Sequence, residues 1–323
     1  MNQINLDQVL SQLKDAERIL LCTHVQPDGD AIGSLLALNA LLLGLNKKTT
    51  MICHDPVPVH LRLLPGWQDI RLPEEIGDTA YDLGCSIDAS DLDRIGDASP
   101  LFLQCPRTLV IDHHATNTMF GHGNYVDDQV AASGVLVYRL FERAVVPISP
   151  HAALNLYAAI STDTGNFSFG LMNEEIFVQM AGLMRSGLDI SQAAWGLHLI
   201  KEASFIKLLG RALNSIQFSC SGRLSMMVIS EADFLETGAS REHADGIVNC
   251  GLNIEGVEMG FLATQEEDGV KFSLRAVPPH NVSAIAFEFG GGGHVLAAGC
   301  QIKLPMDEAL RKVRERMEQA LHC

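Results

Sequence analysis

Short apolar runs that each end in a polar turn recur through the first half of the chain. Ile19-Leu20-Leu21-Cys22-Thr23, Thr49-Thr50-Met51-Ile52-Cys53, Asp82 to Asp88 and Thr108-Leu109-Val110-Ile111 read as strands. Their continuous apolar character, without a polar face, is that of strands covered on both sides in a parallel sheet. Longer stretches lie between and after them. Met1 to Leu20 has an amphipathic helix pattern, and Ala31 to Leu45 reads as a helix buried behind the first strand. Pro27 and Gly29 make His24 to Asp30 a loop, and Gly33-Ser34 open the helix after it. Pro56 to Pro65 is a loop-rich passage, and Gly134 to Phe141 and Ala152 to Ile160 are helical. The order strand, polar loop, helix predicts a parallel sheet with ligands at its carboxyl edge. A helical connector spans Ser191 to Ser215. Beyond it the texture changes: Leu224 to Ile229, Val257 to Thr264 and Val270 to Ala276 are strand-like, and Met306 to Leu321 is an amphipathic helix. The pattern predicts an α/β protein. An N-terminal domain over 1–187 has a mainly parallel sheet flanked by helices, a helical connector covers 188–204, and a smaller C-terminal α+β domain covers 205–323.

Composition narrows the function classes. The chain has 323 residues, enough for two domains, and 47% hydrophobic residues, enough for a substantial core. A net charge of -16 and only 6% aromatic residues argue against a protein that tracks long DNA or RNA. Such proteins present a basic surface and stack bases on aromatic side chains. Eight cysteines without a Cys-x-x-Cys pair, several in apolar strands (Cys22, Cys53, Cys85), predict thiols in a reducing cytoplasm rather than a disulfide framework. The N-terminus lacks the basic-then-apolar pattern of a signal peptide, and the longest apolar run is too short for a bilayer, so a cytoplasmic protein away from the membrane is expected.

The chemistry sits at the strand ends. The first carries His24, Asp28 and Asp30, the third Asp88, the fourth Asp112, His113 and His114, and a helix end adds Asp163 in Ser161-Thr162-Asp163-Thr164-Gly165. Taken as extended, Asp28 and Asp30 project to the same side, where two carboxylates repel unless a cation joins them. An Asp-Gly turn with a solvated histidine, or a helix cap at Asp112, is the plain alternative for each piece alone. Together, His24, Asp28, Asp30, Asp88, His113 and Asp163 suffice for two divalent ions with one carboxylate shared. Oxygen and imidazole donors without thiolate suit Mn²⁺ or a similar octahedral ion, and paired ions suit hydrolysis of a phosphate ester. In the second domain, Phe289-Gly290-Gly291-Gly292-Gly293-His294 lets backbone amides approach a ligand, and a helix starting just after it would favour an anion. The Gly-Lys-Ser/Thr ending of a P-loop is missing. A flexible hinge is the alternative; His294 and Arg275 favour phosphate or nucleotide contact.

His24-x-x-x-Asp28-x-Asp30-x-x-Gly33-Ser34, Asp88, Asp112-His113-His114 and Asp163-Thr164-Gly165 resemble, in order, the four motifs of the DHH phosphoesterase superfamily. The glycine run with His294 resembles the DHH-associated C-terminal domain, and the layout is most similar to the nanoRNase/pAp-phosphatase branch. That resemblance implies hydrolysis of short oligoribonucleotides to mononucleotides, and of 3′-phosphoadenosine 5′-phosphate (pAp) to AMP, through a hydroxide bridging two Mn²⁺ ions. It implies that His24 and Asp28 hold one ion and Asp30, His113 and Asp163 the other, with Asp88 bridging. Asp112 would orient, and His114 would face the scissile phosphate. Arg275, Gly291, Gly292, Gly293 and His294 would hold the substrate's other phosphate or terminal nucleotide across an interdomain cleft. Asn117 matches a family position without an assigned role, and Ala276 stands where members often carry serine. The partners implied are short RNA or nucleotides, not long duplexes, with homodimerisation left open.

Relatives sharing the metal motifs are less similar. Family II pyrophosphatases carry a basic cluster in the second domain, RecJ-like exonucleases are longer, and membrane-bound cyclic-dinucleotide phosphodiesterases have transmembrane segments. A soluble phosphodiesterase for cyclic di-AMP or pApA is the main alternative. A non-catalytic nucleotide-binding protein is the second, and it would be expected to have lost at least one metal position.

Overall fold

The computed structural model describes residues 2–323. It forms two compact units, the first running through Ile200 and the second spanning Lys201–Cys323.

The first unit is built on a six-stranded sheet: β1 (Arg18–Cys22), β2 (Lys48–Ile52), β3 (Ile70–Arg71), β4 (Leu83–Ile87), β5 (Thr108–Asp112) and β6 (Gly123–Val126). Their order is 3-2-1-4-5-6 and every pairing is parallel. β4 and β5 are buried along their full length, as expected of mainly apolar central strands of a parallel sheet. The order reverses between β1 and β4, where loops diverge and leave a crevice at the carboxyl ends. His24 follows β1 and Asp88 follows β4, so both lie at that reversal.

The helices of this unit are α1 (Leu6–Asp15), α2 (Gly29–Gly44), α3 (Ser99–Gln104), α4 (Ser133–Ala144), α5 (Pro150–Asp163), α6 (Glu174–Arg185) and α7 (Ile190–Ala194). The helix expected to reach Leu20 stops at Asp15, because Arg18 onward extends to pair with β2 and β4. Likewise α2 starts at Gly29, ahead of Gly33-Ser34, because the Asp28 carboxylate caps it by accepting from the Ala31 N–H at 3.0 Å. Asp30 therefore stands in a first helical turn, not in an extended segment. The Leu-rich α2 is buried nearly all round, as a helix without a polar face must be.

The second unit holds α8 (Ala203–Asn214), β7 (Gln217–Ser219), β8 (Leu224–Ile229), α9 (Glu231–Thr237), α10 (Val248–Leu252), β9 (Met259–Glu266), β10 (Gly269–Ala276), α11 (Val282–Glu288), β11 (Gly292–His294), β12 (Ala297–Ile302) and α12 (Met306–Ala320). Its sheet runs β11-β12-β10-β9-β8-β7, with β8 and β9 parallel and the other pairs antiparallel. The helix expected after the glycine run is absent: Ala297 onward is β12, which pairs with β11 and β10. The glycines serve close strand approach. A Cβ on Gly291 would lie 2.1 Å from the Gly299 carbonyl oxygen, and Gly293 has φ 139°. The expectation of thiols throughout is corrected at one pair, Cys220 and Cys323, which form a disulfide across 103 residues. The return of α12 to the edge of the sheet brings them together, and sequence spacing does not show that. The other six cysteines are free thiols. No helix among the described residues is long and apolar enough to cross a membrane.

One junction sets the geometry of the first unit. Gly33 on α2 lies so close to α5 that a Cβ there would stand 2.5 Å from the Asn155 carbonyl oxygen and 2.8 Å from the Ala159 nitrogen. These are backbone atoms, so the helices would have to separate. Gly33→Ala is expected to cost about 1–3 kcal/mol of stability and to weaken divalent-metal binding, because α2 carries Asp30 and α5 carries Asp163. Denaturant unfolding and metal titration check it. An unchanged midpoint would mean that the junction gives way freely.

Candidate metal centre

Four loops and helix ends deliver the ligand-type side chains. His24 follows β1, Asp28 caps α2, and Asp30 lies in the first turn of α2. Asp88 follows β4, His113 follows β5, and Asp163 is the last residue of α5. The structure brings all six together. His24 Nε2 lies 3.7 Å from Asp28 Oδ1 and 3.6 Å from Asp88 Oδ2. His113 Nε2 lies 3.7 Å from Asp30 Oδ2, 3.5 Å from Asp88 Oδ1 and 3.3 Å from Asp163 Oδ2. Asp88 thus turns one oxygen to each imidazole. Within each of the sets His24–Asp28–Asp88 and Asp30–His113–Asp163, the ligand atoms lie within 4.8 Å of one another. Asp88 has φ 59°, a left-handed conformation that aspartate tolerates better than most residues and that often marks a functional position.

The α4 N-terminus fixes two of these carboxylates. Asp30 Oδ2 accepts from the Ser133 N–H at 2.6 Å, and Asp30 Oδ1 accepts from the Gly134 N–H at 3.0 Å and from the Ser34 hydroxyl at 2.7 Å. The Ser133 hydroxyl donates to Asp88 Oδ1 at 2.9 Å. Sequence reasoning missed Ser133. A serine and glycine opening a helix after two alanines was the available signal.

Electrostatics argue for cations here. Asp30 and Asp88 are 1% and 2% exposed, and among the described residues the only cationic groups in ion-pair range of Asp28, Asp30, Asp88 and Asp163 are histidines. Buried carboxylates need a counter-charge. Burial, reinforced by Asp88, Asp163 and Asp28, holds the Asp30 carboxyl well above the usual carboxylate range. Asp163 is raised to about 6, chiefly by burial and against the pull of His113. Burial opposes charge on His24, but Asp28 and Asp88 outweigh it and push the ring up to about 10. The nearby Cys53 thiol is pushed up to about 12 by burial, which removes it as a thiolate donor. The donor set is therefore carboxylate and imidazole, and it fits two neighbouring divalent ions.

His114 and Asp112 form a separate pair beside this set. His114 Nδ1 lies 2.7 Å from Asp112 Oδ1, and Asp112 is fully buried. Asn117 takes a clear place: its Nδ2 donates to Asp112 Oδ2 at 2.6 Å and to the Ala89 carbonyl at 3.0 Å. It ties the loop after β5 to the residue following Asp88.

The C-terminal residues gather on their own sheet. Arg275 on β10 and His294 on β11 are both register partners of Ala297 on the intervening β12. Directly paired residues share a face, so an arginine and a histidine flank a small residue. Arg275 Nε donates to Asn249 Oδ1 at 3.2 Å, and burial pulls its guanidinium below the usual arginine range. Ala276 is buried in the core.

Metal ligands must shed their protons. At pH 7.5 His24, with its value near 10, is protonated, so metal loading is expected to release about one proton per chain from this ring. Below pH 6 Asp163 must also deprotonate, so affinity falls as pH drops and falls more steeply there. Titration calorimetry in buffers of different ionisation enthalpy checks both. Loading at pH 7.5 without proton release would contradict this assignment of His24.

Comparison with known proteins agrees with this geometry. Residues 18–160 match the DHH family N-terminal domain, and residues 225–322 match the DHHA1 domain. The chain is 32% identical to the bifunctional oligoribonuclease and PAP phosphatase NrnA of Thermus thermophilus, over 94% of this chain and 90% of that protein. It is 26% identical to the protein of the same name from Bacillus subtilis, over 91% and 92%. The crystal structure of an exopolyphosphatase-related protein from Bacteroides fragilis superposes with TM-score 0.89 at 28% identity, covering 98% of this chain and 95% of that one. With both domains matched in order and the likeness running nearly end to end, the chain belongs to the DHH phosphoesterase superfamily, in its bifunctional oligoribonuclease and PAP phosphatase branch.

Proposed function

We propose that this phosphoesterase hydrolyses short oligoribonucleotides to mononucleotides and pAp to AMP, using two divalent ions, with Mn²⁺ the preferred one. The observation that carries the reading is Asp88, whose two oxygens face His24 and His113 separately. It supports a reading with two ligand sets that share one carboxylate. His24 and Asp28 would hold one ion; Asp30, His113 and Asp163 would hold the other, with Asp88 shared. Ions held there would supply an activated water and neutralise charge on the phosphate.

The chain's own groups do the rest. Ser133 and the α4 amides hold Asp30 and Asp88 in place, so the ligands meet the ions with little reorganisation. Asp112 engages His114 at Nδ1, which leaves Nε2 to reach the scissile phosphate. In its protonated form His114 donates to the leaving oxygen as the bond to phosphorus breaks. Arg275 and His294, with the Gly291-Gly292-Gly293 backbone that leads into and along β11, hold the second phosphate of pAp or the terminal nucleotide of a short RNA. The chain's net charge of -16 disfavours long polyanions, and this supports short substrates.

A parallel turnover assay with added Mn²⁺ tests the reading on pAp, a 5′-phosphorylated RNA dinucleotide, a five-nucleotide RNA, cyclic di-AMP and pyrophosphate. Release of AMP from pAp and of mononucleotides from the RNAs is the expected result. Preference for cyclic di-AMP would move the protein to dinucleotide signalling, and metal-loaded protein without turnover would mark a binding protein. In the same assay Asp88→Ala should lower kcat by roughly a thousandfold or more, because it disturbs both ion sites. His294→Ala should raise KM by about tenfold with a smaller change in kcat. Intact turnover of Asp88→Ala would refute the shared ligand.

A further inference from the structure

The metal centre is lined by carboxylates, yet the proposed substrate is an anion, so a protein cation at its rim would serve it. Arg94 is placed there. It lies in the 3-10 segment Asp93–Ala98, shortly after Asp88. Its backbone is tied on both sides: its N–H donates to Asp91 Oδ1 at 2.9 Å, and its carbonyl accepts from the Val25 N–H at 2.7 Å. The second bond joins it to the loop that carries His24. Its side chain reaches back over that loop, with Nη2 3.3 Å from His24 Nδ1.

That contact does not use the guanidinium's hydrogen-bonding capacity. His24 Nδ1 lies 2.8 Å from the Val25 carbonyl oxygen, which only accepts, so Nδ1 carries the proton. The other ring nitrogen, Nε2, faces Asp28 and Asp88. With Nδ1 as donor, the Arg94 N–H groups find no acceptor on the ring. Among the described residues Arg94 forms no ion pair within 4.0 Å, although the carboxylates of the metal centre lie just across His24. The result is an exposed, always charged planar fork, anchored at its backbone and lying beside the candidate ligand His24, with its donors unspent.

We propose that Arg94 binds a non-bridging oxygen of the phosphate presented to the metal centre, and so acts as a catalytic residue of the N-terminal unit. The phosphate class of the ligand follows from the fork, which suits two oxygens of a tetrahedral anion. The inference rests on the phosphoesterase reading above. It adds a substrate contact that neither the metal motifs nor the glycine-histidine strand supplies.

The test uses the full chain loaded with Mn²⁺ and compares wild type, Arg94→Ala and Arg94→Lys. Binding of inorganic phosphate and of AMP is read by calorimetry, bound metal by elemental analysis, and pAp turnover separately. Arg94→Ala is expected to weaken phosphate and AMP binding by about 10–100-fold, the scale of one lost charged hydrogen bond. Metal content and melting temperature should be unchanged, with Arg94→Lys in between. Equal affinities in wild type and Arg94→Ala would overturn the proposal. So would loss of bound metal in Arg94→Ala, which would make the residue a support for His24. Absence of pAp turnover by wild type, alongside a preserved difference in phosphate binding, would sink the substrate reading and leave the Arg94 contact standing.

Discussion

The Asp88 carboxylate is almost wholly buried, sits on backbone in the left-handed region, and offers one oxygen to each of two imidazoles. A single carboxylate in such a place costs several kcal/mol unless it is compensated, and Asp30, Asp163 and Asp28 crowd the same space. Crowding and burial favour protons in this cluster: Asp163 is raised to about 6, chiefly by burial, and His24, against its own burial, to about 10 by Asp28 and Asp88. These protons sit where ligands should be bare, so the arrangement is suited to exchanging them for cations. That exchange is the constraint on the rest of the N-terminal unit, because each ligand has to be delivered from a different element to one small volume.

Helix packing does the delivery. α2, α4 and α5 meet through small residues: Gly33 lies against Ala159 and the Asn155 carbonyl, and a Cβ on Gly134 would lie 2.6 Å from the Ala159 Cβ. Close approach there brings the first turn of α2, the first turn of α4 and the last residue of α5 to the carboxyl edge of the sheet. Asp30, Ser133 and Asp163 are therefore neighbours because glycine and alanine occupy the junction beneath them. The strand order supplies the other half, since its reversal between β1 and β4 sets His24 and Asp88 on the same crevice.

Much of this was legible in the sequence, and the exceptions have physical causes. The apolar runs of β1, β2, β4 and β5 and the ligand-type residues closing three of them can be read directly, because buried parallel strands have few other ways to end. β3 and β6 are too short, at two and four residues, for a periodic signal to form. The α2 start was misplaced because a glycine and an aspartate look like a turn until the Asp28 cap is seen. The glycine run looked like a helix approach, yet its glycines let β11 lie against β12. Ser133 carries no sequence signal strong enough to single it out, and Asn117 matches a family position without a role, because their roles depend on which backbone and carboxylate atoms the fold carries to them. The pairing of Arg275 and His294 across Ala297 depends likewise on strand register, which separation in sequence does not encode.

Charge ties the local chemistry to substrate size. A protein that holds a long polyanion gains affinity by neutralising many phosphates over an extended basic surface. Here the net charge is -16, so each further phosphate along a strand meets repulsion instead of a partner. On the proposed reading, attraction comes from points: the two candidate ion sites, the Arg275–His294 face, and Arg94 beside His24. A short nucleotide brings few phosphates into that acidic field, whereas a long one adds charge with each further phosphate. On this argument the small substrates proposed for this chain would follow from its acidic body as much as from any shape of the site.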